Sequence, residues 1–276
     1  MRPLLVVDGD SYTHRAFHAM PTANVRRRDG GPGNALTGFT LMLLRLVSSE
    51  RPRAVLVGWD TLEVPTYRHE AFAGYQAGRE FDAELLEQLG LLPRLVESAG
   101  LVSAKEAGYE ADDFLAAAST REEADGGVCL VATSDRDAFQ LASERTTILQ
   151  PMRGGGEPAR IGPTEVRERY GVDPEQVPDF IALRGDPSDR IPGARGVGEK
   201  RAAALLQEFG TLDAMLAAGR FEAEAERLRL FRSLATLDRS APVPQCPDAT
   251  PDWAGAARHA RELGLDGLAA RLEAAA

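Results

Sequence analysis

The segment Gly108-Tyr109-Glu110-Ala111-Asp112-Asp113-Phe114-Leu115 places three carboxylates within four residues where an apolar helical pattern begins. Acids in a first helical turn are favoured by the partial positive charge of the helix N-terminus, and capping alone explains one or two of them. Glu110 and Asp113, three apart, share a helix face. Further acids end apolar runs elsewhere. Leu4-Leu5-Val6-Val7 runs into Asp8, residues 54–59 into Asp60, and residues 128–134 into Asp135 with Asp137 just beyond. Asp186 and Asp189 follow the apolar residues 180–183. If Asp8, Asp60, Glu110, Asp112, Asp113, Asp135, Asp137, Asp186 and Asp189 converge, they cannot all stay ionised without cations, because like charges raise one another's pKa values. Oxygen ligands without His or Cys select Mg²⁺ or Mn²⁺, and two such ions roughly 4 Å apart are the usual apparatus for in-line phosphodiester cleavage.

The apolar runs before these acids are continuous rather than alternating, which suits strands covered on both faces, and helical segments lie between them. The expected fold is therefore α/β, a mostly parallel sheet flanked by helices. Ligands bind outside the carboxyl ends of such strands, so the strand-end acids would share one rim. Residues 146–149 add an edge strand. Asn34 is placed to cap a helix whose Leu36, Phe39, Leu43, Leu46 and Val47 keep helical spacing. Arg26-Arg27-Arg28-Asp29-Gly30-Gly31-Pro32-Gly33 reads as a solvated loop, with contact to a DNA backbone as the alternative. Residues 67–79 are polar and aromatic with two glycines, and residues 82–98 read as a helix interrupted at Pro93 without a clean apolar face. Such a stretch is either mobile surface or a segment that orders on a ligand.

The first 160 residues form the expected α/β unit. A hinge at Arg153-Gly154-Gly155-Gly156 leads to a helical unit over 161–276, with short helices at 163–170, 174–184, 199–209, 211–218 and 222–237 and a final Ala-rich helix. Within it, Ile191-Pro192-Gly193-Ala194-Arg195-Gly196-Val197-Gly198-Glu199-Lys200-Arg201 gives a helix-hairpin-helix over about 179–209. Backbone amides at Gly196 to Gly198 and the new helix N-terminus can hold a phosphate there, with Lys200 and Arg201 adding charge. A simple C-cap and turn is the alternative. No strand precedes these glycines, which argues against a dinucleotide site.

A chain of 276 residues with net charge −10 can bury a full core. The N-terminal apolar run is too short for a signal peptide or a membrane span, so a cytoplasmic protein is expected. Cys129 and Cys246 suit reduced thiols better than a disulfide or thiolate zinc. An acidic total weighs against a purely electrostatic nucleic-acid binder, but not against a nuclease whose bound cations reverse the local field.

Val7-Asp8-Gly9, Arg15-Ala16-Phe17-His18, Tyr67-Arg68-His69-Glu70, Gly108-Tyr109-Glu110-Ala111-Asp112-Asp113, Asp135-Arg136-Asp137, Gly185-Asp186-Pro187-Ser188-Asp189 and Gly196-Val197-Gly198-Glu199-Lys200 stand in the order found in the bacterial 5′-3′ exonuclease and flap endonuclease family. The chain resembles that family, which includes the N-terminal nuclease domain of DNA polymerase I, over residues 4–237. The resemblance implies a resolvase-like (PIN-like) α/β domain followed by a helix-three-turn-helix DNA-binding region. It implies a bacterial, monomeric enzyme acting on DNA with 5′ flaps, nicks or 5′ ends, RNA primers included, in replication and repair; with no polymerase following, a stand-alone member is expected. It assigns the nine carboxylates to two Mg²⁺ or Mn²⁺ sites with Asp135 shared, and a helical arch to residues 62–98. Tyr75, Gln76 and Arg79 take catalytic positions in that arch. Arg15, Arg68, Gly193, Gly196, Gly198, Lys200 and Arg201 take DNA-binding positions, with K⁺ at the hairpin. Two residues depart from the family pattern: Gln76 stands where the arch usually carries Lys, and Arg190 where Asn usually follows Asp189.

Two rivals stay open at this stage. Asp8-Gly9-Asp10-Ser11 after a strand imitates the nucleophile motif of haloacid-dehalogenase-like phosphatases, but no lysine lies between Ser134 and Asp186 and the 110–113 acids are left unexplained. A protein that binds flap or nicked DNA without cutting it is the alternative from a different class, motivated by Gln76.

Overall fold

The computed structural model describes residues 1–152 and 156–276. The expected hinge begins on Arg153, Gly154 and Gly155, which lie outside the described residues. In chain order the elements are β1 (Leu4–Asp8), α1 (Gly9–Ala19), α2 (Asn34–Glu50), β2 (Ala54–Gly58), α3 (Tyr67–Ala71), α4 (Ala83–Ser98), β3 (Val102–Ala104), α5 (Ala111–Ala124), β4 (Cys129–Ala132), β5 (Thr146–Gln150) and β6 (Ala159–Ile161). The helices α6 (Pro163–Tyr170), α7 (Val177–Arg184), α8 (Glu199–Phe209), α9 (Leu212–Ala217), α10 (Ala225–Ala235), α11 (Trp253–Glu262) and α12 (Asp266–Glu273) follow.

The sheet order is β3-β2-β1-β4-β5-β6, parallel except for the β5–β6 pair, so β5 over 146–150, expected at an edge, is interior and β6 forms the edge. Each continuous apolar run divides its side chains between two cores. Leu4 and Val6, Ala54 and Leu56, and Cys129 and Val131 face one core, while Leu5 and Val7, Val55 and Val57, and Leu130 and Ala132 face the other. The first core is completed by α5 and α7 to α10, the second by α1, α2, α4, α11 and α12. The final Ala-rich stretch is thus two helices, and α11 and α12 pack on α4 and α2.

Chain order reverses direction across the sheet between β1 and β4, and a crevice opens there beyond the strands' carboxyl ends. Asp8 ends β1, and Asp135 follows β4. Gly9 lets α1 start tight against β2, because a Cβ there would lie 2.3 Å from the Trp59 ring.

Three local expectations are corrected. The α4 helix continues through Pro93, and Leu85, Leu89, Leu92 and Val96 form a buried stripe, so the segment has an apolar face. Its contacts with α1, α2 and α11 hold the helix across the hydrogen bond that Pro93 cannot make. Asn34 is the first residue of α2 rather than its cap, and its Nδ2 donates to the Phe17 and Met20 carbonyls. The free N–H groups of Ala35 and Leu36 instead donate to Oε1 of fully buried Gln88, at 2.8 and 3.2 Å. Finally, Arg27 of the basic loop is buried, paired with Asp29 and Glu87, so it is not a solvated charge.

Candidate active site

The crevice is a cavity of about 670 Å³ whose wall carries Asp8, Asp10, Asp60, Asp112, Asp135, Asp137 and Asp186. Five strand or helix ends deliver them. Asp8 also caps α1, accepting from the Ser11 N–H at 2.8 Å, and receives the Thr133 hydroxyl at 2.6 Å. Asp60 accepts the first N–H of α5, from Ala111, at 2.7 Å. Asp112 stands in that same first turn. Asp135 accepts the Asp137 N–H at 2.9 Å, which turns the chain tightly just after β4. Asp186 arrives from the turn after α7 and accepts the Ser188 N–H at 2.7 Å.

Asp10 was not among the sequence-derived ligands. Its carboxylate accepts the Asp60 N–H at 2.8 Å and is buried in the same wall. The alternation Asp8-Gly9-Asp10 at a strand-to-helix junction is the signal that would have found it. Ser11, His14, His18, Ser134, Arg136 and Arg184 also line the cavity.

Two expected site residues lie elsewhere. Adjacent residues of a helix point about 100° apart, so with Asp112 turned to the crevice, Asp113 faces away. Asp113 is fully buried and takes both guanidinium nitrogens of Arg68, at 2.7 and 2.9 Å. It also accepts the Asp238 N–H at 2.9 Å, which leaves it no free lone pair aimed at the crevice. Arg68 is itself only 1 % exposed, with Nε donating to the Leu234 carbonyl at 2.9 Å, so it cannot reach DNA and ties α5 to α10 instead. The face shared by Glu110 and Asp113 is real, but it is turned onto Arg68. Glu110 lines a neighbouring cavity with Asp60, Tyr75, Gln76 and Arg79, and accepts the Tyr75 hydroxyl at 3.0 Å.

Gln76 and Arg79 line both cavities, whereas the Tyr75 ring is buried. Arg15 lines the crevice and donates to the Met152 carbonyl. Asp189 sits beside the crevice, accepting Gln76 Nε2 at 2.8 Å. In the hairpin, Gly193 has φ +73° and its Cα lies against the end of α7, where a Cβ would fall 2.4 Å from the Gly185 nitrogen. No atom comes within 4 Å of a Cβ built on Gly196 or Gly198, and Lys200 and Arg201 are exposed at the start of α8.

Burial is the leading cause of the electrostatics. It raises the Asp8 carboxyl from 3.8 to about 7, aided by Asp60 and Asp135, and Glu110 from 4.5 to about 7. Desolvation also pushes Asp10, Asp112 and Asp137 well up, and Asp189 to about 6. Asp135 is felt by Asp8 and Asp112 on one side and by Asp137 and Asp189 on the other. It is the link between two groups of acids.

The donor set fits a divalent hard cation. Oδ1 of Asp112 is buried without any hydrogen-bond partner, a penalty that a metal ligand does not suffer in the loaded protein. Among the described residues no three side chains are drawn into a finished coordination set. The carboxylates nonetheless share one cavity wall, and Asp112 supplies the unpartnered oxygen on it.

These shifts set a pH dependence. The unfolded chain releases the protons of Asp8 and Glu110 near pH 4, while the folded protein holds them to about pH 7. Across that window the native state binds more protons, so stability falls as pH rises. In chelator the protein is expected to melt several degrees higher at pH 5 than at pH 7.5, and divalent metal should close the gap mainly from the high-pH side. A melting temperature that rises from pH 5 to 7.5 in chelator would contradict the burial of these acids.

Comparison with known proteins gives the same arrangement a family. Residues 3–171 match the family described as "5'-3' exonuclease, N-terminal resolvase-like domain" and residues 172–252 "5'-3' exonuclease, C-terminal SAM fold". DNA polymerase I of Mycobacterium leprae is 43 % identical over 77 % of this chain and 23 % of that polymerase, and that of Thermus filiformis 37 % over 96 % and 32 %. The chain therefore spans only about a quarter to a third of those relatives' length. T5 5′-exonuclease with bound divalent zinc ions superposes with a TM-score of 0.71 at 20 % identity, covering 100 % of both chains. Human GEN1 in complex with Holliday junction DNA superposes at 0.61 with 15 % identity, over 99 % of this chain and 71 % of that one. No described helix is long and apolar enough to cross a membrane. With both of its parts matched in order over residues 3–252, the chain belongs to the 5′-3′ exonuclease family.

Proposed function

We propose that this chain is a structure-specific 5′ nuclease, a 5′-3′ exonuclease and flap endonuclease that hydrolyses phosphodiester bonds of DNA in replication and repair. The observation that carries the reading is the crevice wall of seven aspartates at the switch point of the sheet, with Asp112 Oδ1 left unpartnered. Asp8, Asp60, Asp112 and Asp135, with Asp10 beside them, would hold one ion. Asp137, Asp186 and Asp189 would hold a second, sharing Asp135. Mg²⁺ or Mn²⁺ at these positions supplies an activated water and charge stabilisation for the in-line displacement.

The protein's own groups do the rest. Arg79 and Arg15 project positive charge onto the crevice and attract the phosphate next to the scissile bond. Burial of the wall keeps the effective dielectric low, which strengthens each of those interactions. The open backbone at Gly196 and Gly198 with Lys200 and Arg201 takes a phosphate of the duplex, and K⁺ at this hairpin belongs to the same proposal. The substrate is DNA with 5′ flaps, nicks or 5′ ends, including RNA primers, and the enzyme works as a cytoplasmic monomer.

A 5′-flap duplex labelled at either end tests this. Cleavage near the junction is expected in Mg²⁺ or Mn²⁺, with its loss in chelator reversed by added metal. Tight flap binding without cleavage in either metal would sink the catalytic reading and leave a DNA-binding accessory protein.

A further inference from the structure

The segment carrying Arg79 is tied to the turn carrying Asp186 and Asp189, and one side chain makes most of the tie. Gln76 has a left-handed backbone, φ +46°, unusual for a residue with a Cβ. Its N–H donates to the Asp189 carbonyl at 3.1 Å. Its Nε2 donates to Asp189 Oδ1 at 2.8 Å and to the Tyr75 hydroxyl at 3.2 Å. Its Oε1 accepts from Arg79 Nη1 at 3.0 Å. The Arg79 guanidinium also lies over the Phe81 ring, 4.8 Å from its centre. On the turn, Arg190 is left-handed too, φ +56°, and its guanidinium lies alongside Gly78, within 3.4 Å of where a Cβ would be. Gln76 and Arg190 thus each join residues 76–79 to the 186–190 turn, Gln76 through Asp189 and Arg190 alongside Gly78.

A carboxamide is the group that suits this position. It donates to a carboxylate at one end and accepts from a guanidinium at the other, which fixes its orientation. A lysine has no acceptor for Arg79 and sets a like charge beside it. A glutamate has no donor for Asp189 and adds a like charge there.

We propose that Gln76 is a positioning residue that latches residues 74–79 onto the 186–190 turn, holding Arg79 at the crevice before any substrate arrives. The proposal rests on the nuclease reading for its consequence but not for its geometry. A cation already in place has no ordering entropy left to lose when DNA binds. Removing the two side-chain bonds of Gln76 to charged partners costs substrate affinity rather than the chemical step.

Hydrogen exchange of the metal-free, DNA-free protein is the test, read on residues 74–79. In Gln76→Ala and in Gln76→Glu these amides should exchange about tenfold faster than in the wild type, with the sheet unchanged as an internal control. The pair Gln76→Glu with Asp189→Asn restores a donor opposite an acceptor and keeps the Arg79 bond, so protection should return. On flap DNA, Gln76→Ala should lose about tenfold in kcat/KM, mostly through KM. Unchanged exchange in the single variants, or no recovery in the pair, overturns the latch. Because exchange is measured without metal or DNA, a wild type that fails to cleave would defeat the nuclease reading and leave the latch standing.

Discussion

Replacing Asp135 with asparagine is expected to lower single-turnover cleavage of a 5′-flap duplex by about 10³-fold, while the protein stays folded. Asp135 stands between the two groups of acids and its charge is felt in both. Asparagine keeps the size of the side chain, and its amide oxygen can still accept the Asp137 N–H now bound at 2.9 Å. It carries no negative charge to offer a divalent cation, which is what the proposed role of Asp135 would need. Charge stabilisation by a bound metal is worth several kcal/mol, and about 4 kcal/mol corresponds to the stated factor. The loss should fall on kcat and kcat/KM alike, as for an interaction made in the transition state. Removing one charge from a crowded cluster relieves repulsion, so the melting temperature in chelator should hold or rise. A decrease smaller than tenfold would remove Asp135 from the centre of the chemistry.

The second large effect concerns stability. Arg68→Met should cost about 3–5 kcal/mol, because it leaves the fully buried Asp113 as a charge without its partner. Two parallel bonds to Asp113 and one to the Leu234 carbonyl are lost together. Pairing the change with Asp113→Leu removes the stranded carboxylate and should recover much of the loss, since an apolar pair of similar volume often replaces a buried ion pair without penalty. Urea unfolding of the two variants measures both. A loss under 1 kcal/mol accompanied by weaker DNA binding would return Arg68 to the DNA-contacting residues.

Arg68 shows why part of the site was hidden from one-dimensional reading. A basic residue in a polar, aromatic segment has the look of a phosphate ligand until α10 and α5 close over it. The same holds for Asp113, which differs from Asp112 by a single step along the chain. Only the phase of α5 relative to the sheet separates a cavity-facing acid from a core ion pair. Gln88, mid-helix and polar, gives no hint that it completes the N-terminus of α2 some 50 residues earlier.

Strand-end acids are different, because short continuous apolar runs constrain their position before any tertiary contact forms. A run such as Leu4-Leu5-Val6-Val7 must be covered on both faces, and the residue that ends it must stand at the rim. Asp8, Asp60 and Asp135 were therefore legible along the chain, as were most helices of the last third. Local pattern and side-chain chemistry sufficed for an α/β sheet with a carboxylate rim. Which acids face the crevice, how Gln76 reaches Asp189 across 113 residues, and where α11 and α12 pack depended on the folded chain. Those outcomes turn on helix phase and long-range packing, whose energies belong to pairs of distant segments and are not carried by either segment alone.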